Sequence, residues 1–123
     1  MATKAELYLS ALAELGSSTA DILTSAIVTL DGLAMASTTN ETVSKDAFAA
    51  YSAAAYRRSD ETMEELSGEK VDMLILESKN HRIFSIRTGD NALLITMTGR
   101  HADMGKIISE IHKTAGKVEE LMK

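Results

Sequence analysis

Apolar residues along the chain change their period several times, and each change marks an element. Thr3 and Glu6 stand at capping-box spacing, in which the threonine hydroxyl accepts from the Glu6 amide and the carboxylate reaches back. Behind them Ala5, Tyr8, Leu9, Leu12 and Leu15 recur at helical spacing, and Gly16 suits the left-handed residue that follows a helix. Ser17, Ser18 and Thr19 then read as a short loop. Ile22 to Leu30 and Leu33 to Ser37 have the texture of strands. Asp31-Gly32 between them is the pair favoured in a two-residue type I′ turn, so the segment predicts a β-hairpin.

From Ser44 to Leu66 the chain is rich in alanine and free of glycine and proline, which predicts one long helix ended by Gly68. Phe48, Tyr51, Ala55, Met63 and Leu66 fall near one face of it. Ala47, Ala50 and Ala54 form a shallow stripe alongside, suited to close packing on a sheet or a second copy, and equally to plain helix filler. Three short apolar runs follow, Val71 to Leu76, Arg82 to Arg87 and Ala92 to Met97. Their separators, Asn80-His81 and Gly89-Asp90-Asn91, are short and turn-rich, which predicts an antiparallel meander. Met73 to Leu76 and Leu93 to Ile95 are continuously apolar, so burial on both faces of the sheet, with helices over each, is expected. Asp103 is the expected N-cap of a last helix whose stripe runs through Met104, Ile107, Ile108, Ile111, Ala115, Val118 and Met122.

A chain of 123 residues corresponds to one domain, expected to span 1–123, and shows no repeat or linker. The absence of cysteine excludes a disulfide scaffold, thiolate catalysis and Cys-ligated zinc. A net charge of −5 argues against nucleic acid as a partner, and the lack of Trp removes the strongest stacking platform for single strands. Neither a secretory signal nor a bilayer-length apolar run is visible, so a cytoplasmic location without membrane insertion is expected.

Chemistry is sparse. His81, His101 and His112 lack metal-ligand spacing and read as surface residues. No phosphate-cradling glycine motif and no nucleophile elbow occurs. Asp31 is accounted for by turn chemistry, and Glu61, Glu64 and Glu65 read as a solvated helix face. Arg57-Arg58 suit surface ion pairs or interface contacts better than an arginine finger. Catalytic, cofactor and metal residues are therefore expected to be none.

The order helix, hairpin, long helix, three-strand meander, helix comes with three pieces of wording: Ala26 to Ala36 around Asp31-Gly32, the Phe48-Ala49-Ala50 stretch, and Leu93 to Met97. In these the chain resembles the Roadblock/dynein light chain family over nearly its whole length, and is most similar to its compact, stand-alone prokaryotic members. The resemblance implies an α+β sandwich, α-β-β-α-β-β-β-α, with the long helix on one face of a five-stranded antiparallel sheet and the terminal helices on the other. It also implies a homodimer in which the strand after the long helix, Val71 to Glu77, pairs with its copy while Phe48 to Arg58 of the two long helices pack together. The implied interface residues are Phe48, Tyr51, Ala54, Ala55, Arg58, Val71, Met73 and Ile75. An apolar strand edge is a liability that self-pairing removes, which supports the same arrangement on physical grounds.

By the same resemblance the chain is expected to be a non-enzymatic adaptor for a small Ras-like GTPase, modulating its nucleotide cycle or localisation without a cofactor. The alternatives are a dimerisation scaffold indifferent to nucleotide, and a small-ligand sensor.

Overall fold

The computed structural model describes residues 1–38 and 43–123. Eight elements follow one another: α1 (Lys4–Ser18), β1 (Ile22–Thr29), β2 (Ala34–Ser37), α2 (Lys45–Ser67), β3 (Met73–Glu77), β4 (His81–Thr88), β5 (Ala92–Gly99) and α3 (Met104–Met122). The strands form one antiparallel sheet in the order β2-β1-β5-β4-β3.

All three helices start where the side chains dictate. Thr3 and Glu6 form the reciprocal capping box of α1, Ser44 accepts the Ala47 amide at the head of α2, and Asp103 accepts the Lys106 amide at the head of α3. Gly68, at φ 74°, ends α2 in the left-handed conformation and donates its N–H to the Glu64 carbonyl. Gly16 does not play that part in α1. The helix runs through it to Ser18, so the expected loop at Ser17 and Ser18 is its last turn. Ser17 and Ser18 hydroxyls bond back to the carbonyls of Glu14 and Leu15, which carries the last turn past the glycine. On α1 the buried side is Tyr8, Ala11, Leu12 and Leu15, whereas Ala5 and Leu9 face outward.

The hairpin forms, but not through a type I′ turn. Thr29 donates to the Leu33 carbonyl and Gly32 to the Thr29 carbonyl, which closes a three-residue loop over Leu30, Asp31 and Gly32. Only glycines have positive φ among the described residues, so Asp31 keeps ordinary backbone and Gly32 alone, at φ 96°, is left-handed. A Cβ on Gly32 would stand 3.1 Å from the Ala50 Cα, so the hairpin tip lies directly against α2. Between β3 and β4 the turn is Lys79-Asn80, since Ser78 already pairs with His81 and His81 opens β4.

Two cores lie on opposite faces of the sheet. Alternate residues of one register, Ala26 and Val28 opposite Ile95 and Leu93, pack under Phe48, Ala49, Ala53 and Tyr56 of α2. The intervening Ile27 and Leu94, with Phe84, meet Leu12 and Leu15 of α1 and Ile107, Ile111 and Val118 of α3. That period of two explains why the central strands read as unbroken apolar runs. The same reading fails for β3: Ile75 and Leu76 remain 38% and 42% exposed, because β3 is the edge strand and extends beyond both cores.

Candidate functional site: the free edge of β3 and the outer face of α2

Helix α2 buries a different face from the one its apolar pattern suggested. Phe48, Ala49, Ser52, Ala53, Tyr56 and Asp60 point into the sheet, while Tyr51 is 77% and Leu66 81% exposed. Small alanines and a serine suit a helix lying close on a sheet, and the bulkier apolar residues are left outside. Ala50 lies over Gly32, and the Arg57 guanidinium donates to the Leu30 carbonyl, so one flank of α2 is held by the hairpin. At 100° per residue, Ala55, Ser59 and Thr62 lie on the other flank, on the side of β3.

A polar staple ties that side of α2 to the start of β3. The Tyr56 hydroxyl donates to the Val71 carbonyl at 2.6 Å, and the Val71 amide donates to Asp60 Oδ1 at 2.8 Å. Asp60 Oδ2 receives Arg87 of β4 at 3.2 Å and lies 3.8 Å from the Lys70 ammonium. Arg87 also donates to the Tyr56 hydroxyl at 3.2 Å, with its guanidinium carbon 5.7 Å from the ring centre. The Val71 amide holds the Asp60 carboxyl below its ordinary pKa, with Lys70 and Arg87 assisting against the cost of burial. Burial pushes the Tyr56 phenol up, which keeps it a neutral donor. Tyr56, Asp60 and Arg87 were not singled out by the sequence. The available signal was Tyr56 and Asp60 at i, i+4, a spacing that puts an acid on the same helix face as an aromatic residue.

Ser78 donates to the His81 carbonyl, and the β3–β4 register is uninterrupted from Met73↔Ile86 to Glu77↔Arg82. Antiparallel alternation therefore turns the backbone groups of Leu74 and Leu76 toward β4, and those of Met73, Ile75 and Glu77 toward the free edge. This edge is uncharged from Met73 to Leu76 and contains no proline.

The eight expected interface residues divide accordingly. Tyr51, Ala54, Arg58 and Ile75 are exposed, with Ala55 and Met73 half-buried beside them. Phe48 and Val71 do not join them, because both are buried, at 7% and 9% exposure, in this chain's own core. Arg58 pairs at 3.6 Å with Glu61 on the solvent side of the helix. His81, His101 and His112 are exposed, and no cluster of three His, Cys, Asp or Glu suited to a metal occurs among the described residues. No helix among these residues is long and apolar enough to cross a membrane.

Residues 9–98 match the family model described as the Roadblock/LC7 domain. No protein of curated function matches the chain. Among solved structures, a Roadblock/LC7 domain from Streptomyces avermitilis is similar at 20% identity and a TM-score of 0.86, over 94% of this chain and 98% of that one. A structure described as MglB with tetrameric arrangement is similar at 14% identity, covering 98% of this chain and 91% of its own, with a TM-score of 0.87. The gliding protein MglB from Thermus thermophilus is similar at 15% identity, with 98% and 92% covered and a TM-score of 0.85. At such identities the likeness is one of fold.

Proposed function

The chain belongs to the Roadblock/LC7 family, and from that premise we propose that it acts as a homodimeric, non-enzymatic adaptor for a small Ras-like GTPase. Residues 1–123 constitute one such domain in this reading, and the cytoplasm is where it meets its partner. The observation that carries the proposal is the free edge of β3: an apolar strand with outward backbone groups at Met73, Ile75 and Glu77. An edge of this kind is a template for another strand, and a second copy supplies one with matching chemistry. Tyr51, Ala54, Ala55, Arg58, Met73 and Ile75 then lie at or beside the seam, and Tyr and Arg are residue types that dominate interface energetics. The GTPase partner comes from the resemblance to a family of GTPase adaptors. The chain contributes surface to it, favouring one switch conformation over another.

The test is recovery on the tagged protein from source lysate, run in parallel with GDP and with a non-hydrolysable GTP analogue. A small GTPase recovered in one nucleotide state only is the expected result. Partners recovered equally in both states would replace the regulator with a scaffold indifferent to nucleotide.

A further inference from the structure

Away from β3, a cavity of about 480 Å³ opens where the tip of the β1–β2 hairpin, the β4–β5 turn and the last turn of α3 meet. Its apolar wall is made by Met35 of β2, Ala92 of β5 and Met122 of α3. Met122 is seated on the backbone of Gly89, where a Cβ would stand 2.8 Å from its sulfur. Met35 comes from a β-bulge: Val28 pairs with Ala34 and Ile27 with Ala36, so Met35 is the extra residue, re-aimed out of the ladder and 38% exposed. The frame around it is held by hydrogen bonds. The Leu30 amide donates to the Asn91 carbonyl at 3.0 Å, which ties the hairpin to the β4–β5 turn, and the Thr29 hydroxyl accepts the Leu33 amide at 3.0 Å. At the rim the charge is acidic. Asp90 and Glu119 line the cavity, both are exposed, and neither has an ion pair among the described residues. The nearby cations are already engaged, Lys123 by Glu120 at 3.0 Å and Lys4 by the Met122 carbonyl at 3.5 Å.

The geometry points to a docking site for a short segment of a partner protein, one that presents a large apolar side chain next to a lysine or arginine. The cavity has the size of sites that enclose a single ligand group. Its two thioethers sit on unbranched, rotatable side chains, which adapt to whichever apolar group enters. Two rim carboxylates without ion pairs attract a cation and repel an acidic segment, so charge selects among apolar segments. Recognition runs through side chains and not through an added strand, because β2 has only four residues and is bulged at Met35, both of which spoil a strand template. No residue of β3 or α2 lines the cavity. The site therefore goes beyond the homodimer and the face proposed above, and is occupied independently of them.

Short peptides selected from a random library on the tagged full chain are the probe, and the chain's methionines, isotope-labelled at their methyl groups, report by NMR where they bind. The selected peptides are expected to carry a large apolar residue adjacent to lysine or arginine. They are expected to shift the resonances of Met35 and Met122, while those of Met63 on α2 and Met73 on β3 stay in place. Asp90→Lys combined with Glu119→Lys is expected to raise the peptide dissociation constant roughly five-fold or more at low salt, since two attractive contacts become repulsive. Exchanging the peptide's basic residue for glutamate is expected to return binding to that double variant and to weaken it on the native chain, a rescue that misfolding would not produce. Met35→Gln, which keeps the length of the side chain and removes its apolar tip, is expected to weaken binding with circular dichroism unchanged. Peptides that shift only methyl groups elsewhere, or that bind the double variant as tightly as the native chain, overturn the site, and so does a library that yields no binder. The homodimer stands or falls separately, by light scattering of the chain without peptide.

Discussion

Asp60 accepts the Val71 amide with one oxygen and receives Arg87 with the other, so its removal leaves a buried N–H and a half-buried guanidinium without a partner. Asp60→Ala is expected to cost about 2–3 kcal/mol of unfolding free energy, the usual scale for orphaning such groups, measurable by urea denaturation. Its pH dependence has a defined sign. The folded carboxyl titrates below its ordinary value, so its contribution is complete above about pH 4 and is lost as pH falls through the folded pKa. Asp60→Asn is therefore expected to flatten the acid limb of a stability-versus-pH curve, with little change in slope above about pH 5. At this scale the sequence was legible where the determinant is local. Thr3, Gly68 and Asp103 cap their helices because each cap closes within a few residues. The staple was not legible, since Asp60 and Arg87 are 27 residues apart and meet only after α2 packs over β4.

Element types followed from periodicity, because a helix or strand must turn its apolar side to one place. Faces were less secure. On α2 the pattern of large apolar residues pointed to Tyr51 and Leu66, yet the sheet chose Ala49, Ser52 and Ala53, which let the helix lie close. On β3 an unbroken apolar run suggested burial on both faces, yet Ile75 and Leu76 stay exposed on the edge strand. Both departures leave apolar surface exposed, on α2 and on the edge strand, which is the reason to place an interface there. One substitution separates the edge from the strand itself. The Ile75 amide points away from β4, so Ile75→Pro leaves the β3–β4 ladder intact and blocks only the outer row. The expected outcome is a folded monomer, with native circular dichroism and half the wild-type mass in light scattering.

At the scale of the whole molecule, a dimer seam couples stability to concentration, because the partner binds the folded state alone. The melting temperature of the native chain is expected to rise with protein concentration, and that of Ile75→Pro to stay constant, in calorimetric scans over a hundred-fold dilution. The sequence by itself determined the order of elements, the capped starts of α1 and α3, the two-sided burial of β5, and the family, since each follows from neighbours in the chain or from spacing along one element. Tertiary structure alone decided the full sheet order, which face of α2 is left free, and the meeting of Tyr56, Asp60 and Arg87. Those outcomes depend on contacts between residues far apart in sequence. They are fixed by how closely whole elements can pack, and no local pattern records that.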